Sequence, residues 1–565
     1  MSATAPIKET KAQRVERLKR EFNPWDGLNE IRRFSQEGFD AIPPQWVNTY
    51  FRWWGVYTQG DGIGAVGGKG GEGKALPYFM LRIRIPSGHL FAHQLRTVAS
   101  LCREHARSSA DITVRQNIQF HWVSIESLPT VLEKLWGCGL NSMGACGDVT
   151  RNVTGCPVAG LDADELCDAT SLVQKTAAML VGNPSFYNLP RKHKISIAGC
   201  TSWCAYPEIN DIGLTAVRNG GDVGFSLRVG GGLSTEPHLA ARLNVFVREH
   251  QVLSVVRGVT EIFNDAEVLR QNRERARLKY LFLQHGWTPD RFREELERRI
   301  GFALENGVEE TPPVDVVRDH VGVHAQRQPG LHYIGACVVR GRISPEQMEV
   351  VADLADRFGN GEVRTTIMQN IIIPNVRTAD VQAVCDALGA AGLPVDGSVF
   401  GRGAVACTGT EFCKLAVAET KSFTRWLVDC LDERLPGFDQ QLKIHVTGCP
   451  NSCGQHWIAD IGLEGKKLKV DGKMIDAYYF FLGGSVGAHA GFGRKTGYRC
   501  AASDVPAAIE RLARRYQADR HGDENLRSYL ARHREDELRS ILAGAAAPEE
   551  ARDEPLDAAP VGVDG

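Results

Sequence analysis

The sequence predicts an α+β protein that is internally duplicated, with two ferredoxin-like half-domains and two larger α/β domains. The stretch KISIAGCTSWCAYPEINDIGL, which starts at Lys194, matches KIHVTGCPNSCGQHWIADIGL, which starts at Lys443, at ten of 21 positions without a gap. A shorter pair, ITVRQNI (112–118) and TTIMQNI (365–371), precedes these copies, and glycine turns at 230–232 and 483–484 follow them. An internal repeat governs the whole fold, so we expect two related halves.

Each half is expected to begin with the same succession of strands and helices. The first has the alternating strand FMLRIRIP, a helical segment at 93–107, the strand-like DITVRQNIQFHWV and a helix at 129–136. The second has a strand at 334–339, a helix at 345–358, VRTTIMQNIIIPNV and a helix at 379–388. These periodicities of about 2 and 3.6 residues predict β-α-β units of the ferredoxin-like type.

Composition shifts along the chain predict its domain boundaries. A leader at 1–75 contains a charged helix near 11–22 and a glycine-rich segment at 60–73. This segment is a cover over an active site or an arm over the next domain on one interpretation, and a mobile surface loop on the other. The charged stretch 250–302 reads as helical, either a solvated face or a connecting bundle. We expect half-domains at 76–140 and 325–395, larger domains at 141–310 and 400–542, and a disordered acidic tail at 543–565.

The overall composition excludes several classes of protein. A chain of 565 residues with 43% hydrophobic and 24% charged residues is typical of a globular protein with several domains. A net charge of -2 gives no reason to expect binding to nucleic acid or to a membrane surface. The charged N-terminus has no apolar run of the kind that a signal peptide needs, so we expect a cytoplasmic protein. Its fifteen cysteines are then better explained by reduced thiols and a metal site than by disulfides.

Two pairs of cysteines predict a metal centre in the second half. Cys407 and Cys413 lie in CTGTEFC, and Cys449 and Cys453 lie in CPNSC. Four thiolates are the usual anchor of a 4Fe-4S cluster, while zinc is the alternative. Structural zinc sites favour two to four residues between paired ligands, so the five-residue gap in the first pair favours iron-sulfur.

The first half does not repeat this pattern in full. Cys200 and Cys204 correspond to Cys449 and Cys453, but no preceding pair has five residues between its members, and Cys146 and Cys156 have nine. A second cluster is therefore not expected, and Cys200 and Cys204 are interpreted as remnants that pack as small apolar side chains.

The first half carries a set of cations where buried strands are expected. Arg82 and Arg84 lie two apart on one strand, and Lys192 and Lys194 lie two apart on another, so each pair faces one side. Arg115 and Arg151 lie beside similar apolar segments. An unpaired buried charge is too costly to persist, so the set predicts a small oxyanion, a cofactor with several carboxylates, or both.

At this point the sequence resembles a known family. The motifs TVRQNIQFH, TRNV, LPRKHK, ACTGTEFCKLA and GCPNSC resemble those of the assimilatory nitrite and sulfite reductases, over about 78–542. The resemblance implies a 4Fe-4S cluster held by Cys407, Cys413, Cys449 and Cys453, with Cys453 also ligating the iron of a sirohaem. It implies that electrons enter at the cluster and reach the sirohaem through the sulfur of Cys453.

The resemblance also implies roles for the other polar residues. Arg82, Arg151, Lys192 and Lys194 would hold the substrate anion, neutralise its charge and relay protons. The sirohaem carboxylates would be met by Arg115, Gln119 and His121, and by glycine turns that include Gly231 and Gly483. Asp111 departs from the pattern, since some relatives carry Arg there, and this puts one carboxylate contact in doubt.

The implied function is the six-electron reduction of sulfite to sulfide, of nitrite to ammonia, or of both. The pair Lys192 and Lys194 resembles the sulfite-reducing branch, whereas the second half resembles ferredoxin-nitrite reductases, so that activity is the alternative. No nicotinamide or flavin fingerprint is evident. Electrons are therefore expected from a small acidic ferredoxin, with Lys414, Lys466, Lys467 and Lys469 as docking candidates. A zinc or iron-sulfur scaffold or sensor is the non-enzyme alternative.

Overall fold

The structure, a computed structural model, describes residues 9–65, 72–315 and 318–545. Part of the glycine-rich segment, 66–71, and most of the expected tail, 546–565, lie outside the described residues. The described chain forms four five-stranded sheets, two in each half. This arrangement confirms the predicted duplicated α+β fold. No helix in the described ranges is long and apolar enough to cross a membrane.

The leader folds onto the body of the protein through three helices and a set of buried aromatic residues. Its helices are α1 (Lys11–Glu21), α2 (Leu28–Glu37) and α3 (Pro44–Asn48). The predicted charged helix is thus confirmed as α1, which Thr10 and Gln13 begin with a reciprocal capping box. Lys19 on α1 is buried, donates to the Leu189 carbonyl at 2.8 Å and pairs with Glu16 at 2.5 Å. The bond to Leu189 and the buried ion pair of Glu16 with Arg270 at 2.8 Å therefore anchor the leader to the first large domain.

Each half-domain builds an antiparallel sheet covered by two helices. The first contains β1 (Val56–Gly60), β2 (Ala75–Ile83), β3 (His89–Phe91), α4 (Ala92–His105), β4 (Ala110–Ile112), β5 (Ile118–Val123) and α5 (Leu128–Gly137). A pair of short strands (β6, Thr154–Gly155; β7, Ile195–Ala198) opens the first large domain, with α6 (Thr170–Leu180) between them. That domain continues through β8 (Ile212–Asn219), β9 (Asp222–Val229), β10 (Ala241–Arg248), α7 (Val252–Asp265), α8 (Tyr280–Gln284) and α9 (Pro289–Ile300).

The second half repeats this order. Its half-domain contains β11 (Gly322–Ala325), β12 (Leu331–Ala336), β13 (Arg342–Ile343), α10 (Pro345–Phe358), β14 (Glu362–Thr365), β15 (Ile371–Arg377) and α11 (Val381–Ala390). Its large domain contains α12 (Val399–Gly403), β16 (Ala404–Ala406), α13 (Lys421–Arg434), β17 (Ile444–Thr447), β18 (Ile461–Val470), β19 (Lys473–Leu482), β20 (Arg494–Ala501), α14 (Val505–Asp519), α15 (Leu526–Arg532) and α16 (Glu535–Ala543).

The two half-domains exchange an edge strand. The first sheet has the order β1-β2-β5-β4-β13 and the second the order β11-β12-β15-β14-β3, so each ends in a short strand from the other half. Ser87 and Arg340, with φ of 56° and 61°, occupy equivalent positions in the turns that lead into the exchanged strands. The half-domains share one continuous apolar core, which includes Leu90 and Ile343. They are thus one packed unit, which the sequence alone did not reveal.

Each large domain contains one mixed sheet of the same design. In the first, β6, β7 and β8 run parallel and β9 and β10 complete the sheet in antiparallel order. In the second, β16, β17 and β18 are parallel, followed by antiparallel β19 and β20. The carboxyl ends of parallel strands meet at one edge of a sheet, and loops there commonly carry function. Both pairs of repeat cysteines follow such strand ends.

The charged stretch 250–302 is largely helical, as predicted, and packs on the first large domain instead of forming a separate connecting bundle. Val255, Val256 and Val259 on α7 and Phe292 on α9 are fully buried in the core of that domain. Arg257 on α7 and Glu294 and Arg298 on α9 are exposed, so the helices also have the solvated face that was expected. The stretch belongs to the domain that it follows.

The two described ends of the glycine-rich segment lie against the loop between Cys407 and α13. The backbone amides of Gly60, Ala65 and Gly73 donate to the carbonyls of Phe412, Ala416 and Lys414 at 2.7 to 2.8 Å. Of the two interpretations of this segment, an arm over a neighbouring domain therefore describes its ends, residues 60–65 and 72–74.

Candidate functional site

Four cysteines converge at one edge of the second large sheet. Cys407 directly follows β16, and Cys449 and Cys453 lie in the loop after β17, its parallel neighbour. A tight turn returns the chain toward Cys407, because the Cys413 amide donates to the Gly409 carbonyl at 2.9 Å. Gly409 has φ of +66°, which a residue with a side chain rarely adopts. Strand order and turn chemistry together place the two pairs face to face.

The four thiols differ in exposure and in their hydrogen bonds. Cys449 is buried, Cys407 and Cys413 are half-buried and Cys453 is exposed. The Gly448 amide donates to Cys407 Sγ at 3.2 Å, and Asn451 Nδ2 donates to Cys449 Sγ at 3.5 Å. Such donors stabilise thiolate and tune the potential of a cluster. Cys453 alone of the four presents its thiol to open space.

The environment of these thiols favours a bound cation. Burial raises the pKa of Cys413 to about 12, and the neighbouring Cys453 raises it further. Burial and Cys453 likewise raise the pKa of Cys407 and of Cys449. Four thiolates cannot share this space without positive charge among them, because each raises the pKa of the others. A metal cluster supplies that charge, and the donor set fits the predicted 4Fe-4S centre.

Cations of the first half lie opposite Cys453. Burial would lower the pKa of Arg82, but the charges of Cys146, Tyr57 and the cluster residue Cys453 raise it overall. Burial lowers the pKa of Lys192 to about 7, and Cys453 opposes this shift. Both residues are therefore close enough to Cys453 to interact with its charge. The structure brings together cations and thiols that are more than 250 residues apart in sequence.

The arginines of this set are held by neutral groups. Arg151 donates to the carbonyls of Gly147 and Ala145 at 2.9 to 3.2 Å. Arg115 Nη1 donates to Asn210 Oδ1 at 2.9 Å, and burial lowers the pKa of Arg115 to about 9. Arg115 Nε and two nitrogens of Arg84 are buried without a hydrogen-bond partner in the described chain. Unsatisfied buried guanidinium nitrogens are costly, so they point to an anionic partner for this cavity.

Lys192 and Lys194 have few carboxylates near them. Asp211 binds Arg277 at 2.8 Å and accepts the Lys194 backbone amide at 2.7 Å. Burial, followed by the charges of Arg115 and Lys192, lowers the pKa of Lys194 well below 10.5. Neither lysine forms an ion pair with a carboxylate in the described ranges of the chain. An anion that binds here raises the pKa of both lysines, because their charged form gains a partner.

Two further cations of this region were missed from the sequence. Arg277 is buried, donates to the Gly231 carbonyl at 3.3 Å and lowers the pKa of Lys192 and of Lys194. Arg191 lies beside Lys192, and burial lowers its pKa to about 10. Arg191 is the arginine of the LPRKHK motif and was detectable there, whereas Arg277 lies in the charged stretch after α7, where no local pattern distinguishes it.

Gln119 and His121 link the first half-domain to the cluster loop. Gln119 accepts from Arg82 at 3.1 Å and donates to Thr408 Oγ1 at 3.1 Å. His121 is fully buried and stacks on Phe412 with ring centroids 3.7 Å apart. Both side chains thus meet the loop that carries Cys407 and Cys413. Their contact with sirohaem carboxylates stays a prediction.

Asp111, the departure from the family pattern, is the centre of a buried ionic network. Its carboxylate lies 3.0 Å from His121 Nε2 and 2.9 Å from Arg342 Nε. Burial would raise the pKa of Asp111, but Lys421, His121 and Arg342 hold it well below 3.8. Arg342 also binds Glu411 of the cluster loop at 3.0 Å. Asp111 therefore positions the cluster loop through Arg342 and His121.

The two glycine turns have structural explanations of their own. Gly483 has φ of +78°, and its amide donates to the Asp460 carbonyl at 2.9 Å. A Cβ on Gly231 would lie 2.4 Å from the Glu208 carbonyl oxygen, so no larger residue fits. Their contribution to cofactor binding stays a prediction, because close backbone packing already accounts for both.

The second half repeats only part of this cationic set. The strand pairing of Arg82 with Gln119 is equivalent to that of Gly335 with Ile372. By the same register Arg84 corresponds to Cys337, and Arg115 to Met368. The repeat makes Gln441 the counterpart of Lys192 and Lys443 that of Lys194, and Arg402, the counterpart of Arg151, is paired with Asp319 at 2.8 Å. The cations that face the four cysteines therefore come from the first half.

The four candidate docking lysines lie in two different places. Lys466, Lys467 and Lys469 lie on β18, in the hairpin with β19, and Lys467 and Lys469 are exposed. Lys414 instead pairs with Glu72 at 3.3 Å beneath the glycine-rich segment. The hairpin is thus the better placed part of the predicted docking surface.

Comparison with known proteins agrees with this architecture. The family model described as the nitrite and sulphite reductase 4Fe-4S domain matches residues 146–304 and 400–546. The model of the nitrite/sulfite reductase ferredoxin-like half domain matches 72–136 and 324–391. Both models match twice, as expected of a duplication.

Individual relatives match over nearly the whole chain. An assimilatory ferredoxin-dependent nitrite reductase of Haloferax mediterranei is 37% identical over 89% of this chain and 88% of its own. A ferredoxin sulfite reductase of Mycobacterium tuberculosis is 36% identical over 93% of this chain and 95% of its own. The solved structure of the M. tuberculosis NirA protein superimposes with a TM-score of 0.89 over 94% of this chain and 98% of its own, at 36% identity. This chain therefore belongs to the nitrite and sulfite reductase family.

Proposed function

We propose that the protein is a ferredoxin-dependent reductase of sulfite, nitrite or both, with sirohaem and a 4Fe-4S cluster as cofactors. The observation that carries the proposal is the position of Arg82 and Lys192, whose charges interact with that of Cys453 across the two halves. A scaffold or sensor with a metal alone has no need of cations that face one of the metal ligands. The cytoplasmic location expected from the N-terminus is part of the proposal, and cell fractionation tests it.

The residues present fit both cofactors. Cys407, Cys413 and Cys449 would hold the cluster, and the exposed Cys453 would join it to the sirohaem. The unsatisfied nitrogens of Arg84 and Arg115 are suited to carboxylates of the macrocycle, since guanidinium groups bind carboxylates in a bidentate way. When bound, sirohaem would supply a redox-active iron for the anion, and the cluster would supply the electrons.

The protein side chains bind the anion and supply protons. Arg82 and Arg151 are fixed by neutral acceptors, so their charge is available to the oxygens of an anion. Lys192, with a pKa of about 7, can give up and regain a proton near neutral pH. Loss of oxygen from sulfite or nitrite consumes protons at each stage. Lys192 and Lys194 are the groups placed to deliver them.

We favour sulfite as the better substrate, with nitrite as the alternative. Sulfite is largely a dianion near neutrality, whereas nitrite is a monoanion, so the second lysine of the pair favours sulfite. The relatives include both a nitrite reductase and a sulfite reductase at nearly equal identity. The preference therefore rests on the charge of Lys194.

Replacement of Lys194 tests the preference. We expect Lys194→Asn to lower kcat/KM for sulfite about tenfold more than kcat/KM for nitrite, since the dianion loses more from the removal of one charge. The measurement is anaerobic turnover of both anions with reduced ferredoxin. Lys175→Asn, at an exposed position of α6, is the control. An unchanged ratio of the two values in Lys194→Asn contradicts the preference for sulfite.

A further inference from the structure

A second cluster of thiols lies in the first half, away from the cationic cavity. The sulfurs of Cys156, Cys200 and Cys204 all lie within 4.8 Å of one another, and all three residues are buried. In the part of the chain that the structure describes, no other three His, Cys, Asp or Glu residues meet this criterion. The sequence-based interpretation of Cys200 and Cys204 as packed remnants did not include Cys156.

Secondary structure brings the three thiols together as it does in the second half. Cys156 follows β6 directly, and Cys200 and Cys204 lie in the loop after its parallel neighbour β7. The Cys204 amide donates to Cys200 Sγ at 3.4 Å. Strand order and the turn from Cys200 to Cys204 thus gather the three thiols at one place.

The positions of the three thiols correspond to ligands of the cluster. Residues 151–156 (RNVTGC) and 402–407 (RGAVAC) occupy the same place in the two parallel sheets, so Cys156 corresponds to Cys407. The repeat makes Cys200 and Cys204 the counterparts of Cys449 and Cys453. The loop between the cysteines is two residues longer in the first half, which conceals the match from an ungapped comparison.

The counterpart of Cys413 is Asp162, six residues after Cys156. Its carboxylate forms an ion pair with Arg318. The first half therefore has cysteine at three of the four ligand positions. The fourth position is Asp162, whose carboxylate is already paired with Arg318. A cubane would lack one thiolate here.

The spacing of the thiols suits a single metal ion. In a tetrahedral zinc site with Zn–S bonds of about 2.3 Å, the sulfurs lie about 3.8 Å apart. A cubane places each thiolate on a different iron, so its ligands are spread more widely. The cysteines of the second half agree with this distinction, since no three of them lie within 4.8 Å of one another.

His320 is the candidate for a fourth ligand. Its ring is 3% exposed, and neither ring nitrogen has a hydrogen-bond partner among the described residues. Its charge interacts with that of Cys200. The ring lies outside the 4.8 Å group, so it must move toward the thiols to bind. A buried imidazole without partners is costly, and a metal bond removes that cost.

The surroundings provide access and charge compensation. A cavity of about 20 Å³, large enough for one water or ion, is lined by Cys204, Arg318 and Lys443. Zinc bound to three thiolates and one imidazole carries a net charge of about -1. Lys443, which lines this cavity and forms no ion pair in the described chain, lies where it can balance this charge.

We propose that Cys156, Cys200 and Cys204 bind one zinc ion, with His320 as the fourth ligand. The site is structural, since it ties two loops of the first half to the linker that leads into the second. It is distinct from the cluster and does not depend on the proposed reductase function. Its geometry shows no place for an anionic macrocycle, because Ile372 and Tyr333 pack beside the thiols.

Metal analysis of the purified holoenzyme tests the site. We expect about one zinc and about five iron atoms per chain, the iron being that of one cubane and one sirohaem. Cys204→Ser should lower the zinc content at least about fivefold. Cys102→Ser, which replaces a buried cysteine of α4, should retain zinc and is the matched control. X-ray absorption at the zinc edge should show sulfur at about 2.3 Å in the wild type.

Several outcomes overturn the proposal. They are wild-type protein with less than about 0.1 zinc per chain, zinc that Cys204→Ser retains, or a zinc edge without sulfur neighbours. About nine iron atoms per chain would indicate a second cubane instead. If Cys204→Ser fails to fold, the wild-type zinc content and edge spectrum still decide. Sirohaem absorbance and turnover are read separately, so a failure of the reductase proposal is distinguishable.

Discussion

The two cysteine loops of this protein occupy equivalent places in a duplicated fold and face opposite surroundings. The loop of the second half presents four spread thiols, with Cys453 exposed toward the cations of the first half. The loop of the first half gathers three buried thiols, which face the apolar Ile372 and the paired Arg318 of the second. The difference between the two sites therefore depends on the residues that face each cysteine loop as much as on the cysteines themselves.

The difference arises at a few positions on otherwise matching strands. Arg82, Arg115 and Gln119 of the first half-domain have Gly335, Met368 and Ile372 as counterparts. Burial of an arginine is tolerated only where an anion accompanies it, so only one cavity can favour a carboxylate-rich cofactor. The apolar residues at the equivalent positions of the second half-domain can instead shield a small metal site from solvent.

The largest expected effect tests the bridging position. We expect Cys453→Ser to lower turnover at least about 100-fold and to abolish the optical coupling of sirohaem and cluster, since the joining ligand is removed. The readouts are absorption spectra and anaerobic turnover. Cys430→Ser, in a half-buried cysteine on α13, is the control. Normal sirohaem ligation in Cys453→Ser would refute the bridge.

Removal of the charge at Lys192 should have the next largest effect. The Lys192 ammonium is present below a pKa of about 7 and is lost above it, so anion binding weakens as pH rises through neutrality. Nitrite keeps one charge over this range and is the suitable probe. Lys192→Met should lower kcat/KM for nitrite about 10- to 100-fold at pH 6. Lys192→Arg should extend binding to higher pH, and an unchanged pH profile in that variant would contradict this role.

Replacement of Arg115 by its counterpart residue makes the two half-domains more alike. Arg115→Met should weaken sirohaem retention about tenfold, because a buried guanidinium that binds carboxylates is lost. Sirohaem per chain, measured by absorbance after dialysis, is the readout. Zinc content should stay at the wild-type value. Full sirohaem retention would remove Arg115 from the cofactor site.

The smallest expected effect concerns the electron donor. Simultaneous replacement of Lys466, Lys467 and Lys469 by Ala should raise KM for ferredoxin about threefold at low salt and less at high salt, because exposed charges steer encounter and are screened. Activity with a small chemical reductant should not change. Equal KM values for ferredoxin at both salt concentrations would exclude the hairpin as the docking surface.

Much of the site was predictable from the sequence because many of its functional residues lie in short motifs. The CTGTEFC and CPNSC pairs fix four thiols by local turn geometry, and the repeat identifies the two halves without tertiary information. Strand alternation predicts that Arg82 and Arg84 face one side, whereas Lys192 and Lys194 lie just before β7, so the sequence-based strand argument does not apply to them. The network of Asp111 with Arg342 and Glu411 was not predictable, since it joins three distant segments.

The sequence alone determined the duplication, the class of each domain and the cysteine pairs, because these depend on periodicity and on local spacing. Only the tertiary structure decided which residues face each other across the halves. The exchange of β3 and β13 joins the two half-domains into one packed unit. Strand register makes Gly335 of the second half-domain the counterpart of Arg82 in the first. The convergence of Cys156 with Cys200 and Cys204 likewise depends on two parallel strands that end at one edge. Contacts between distant segments follow from packing, which no local pattern encodes.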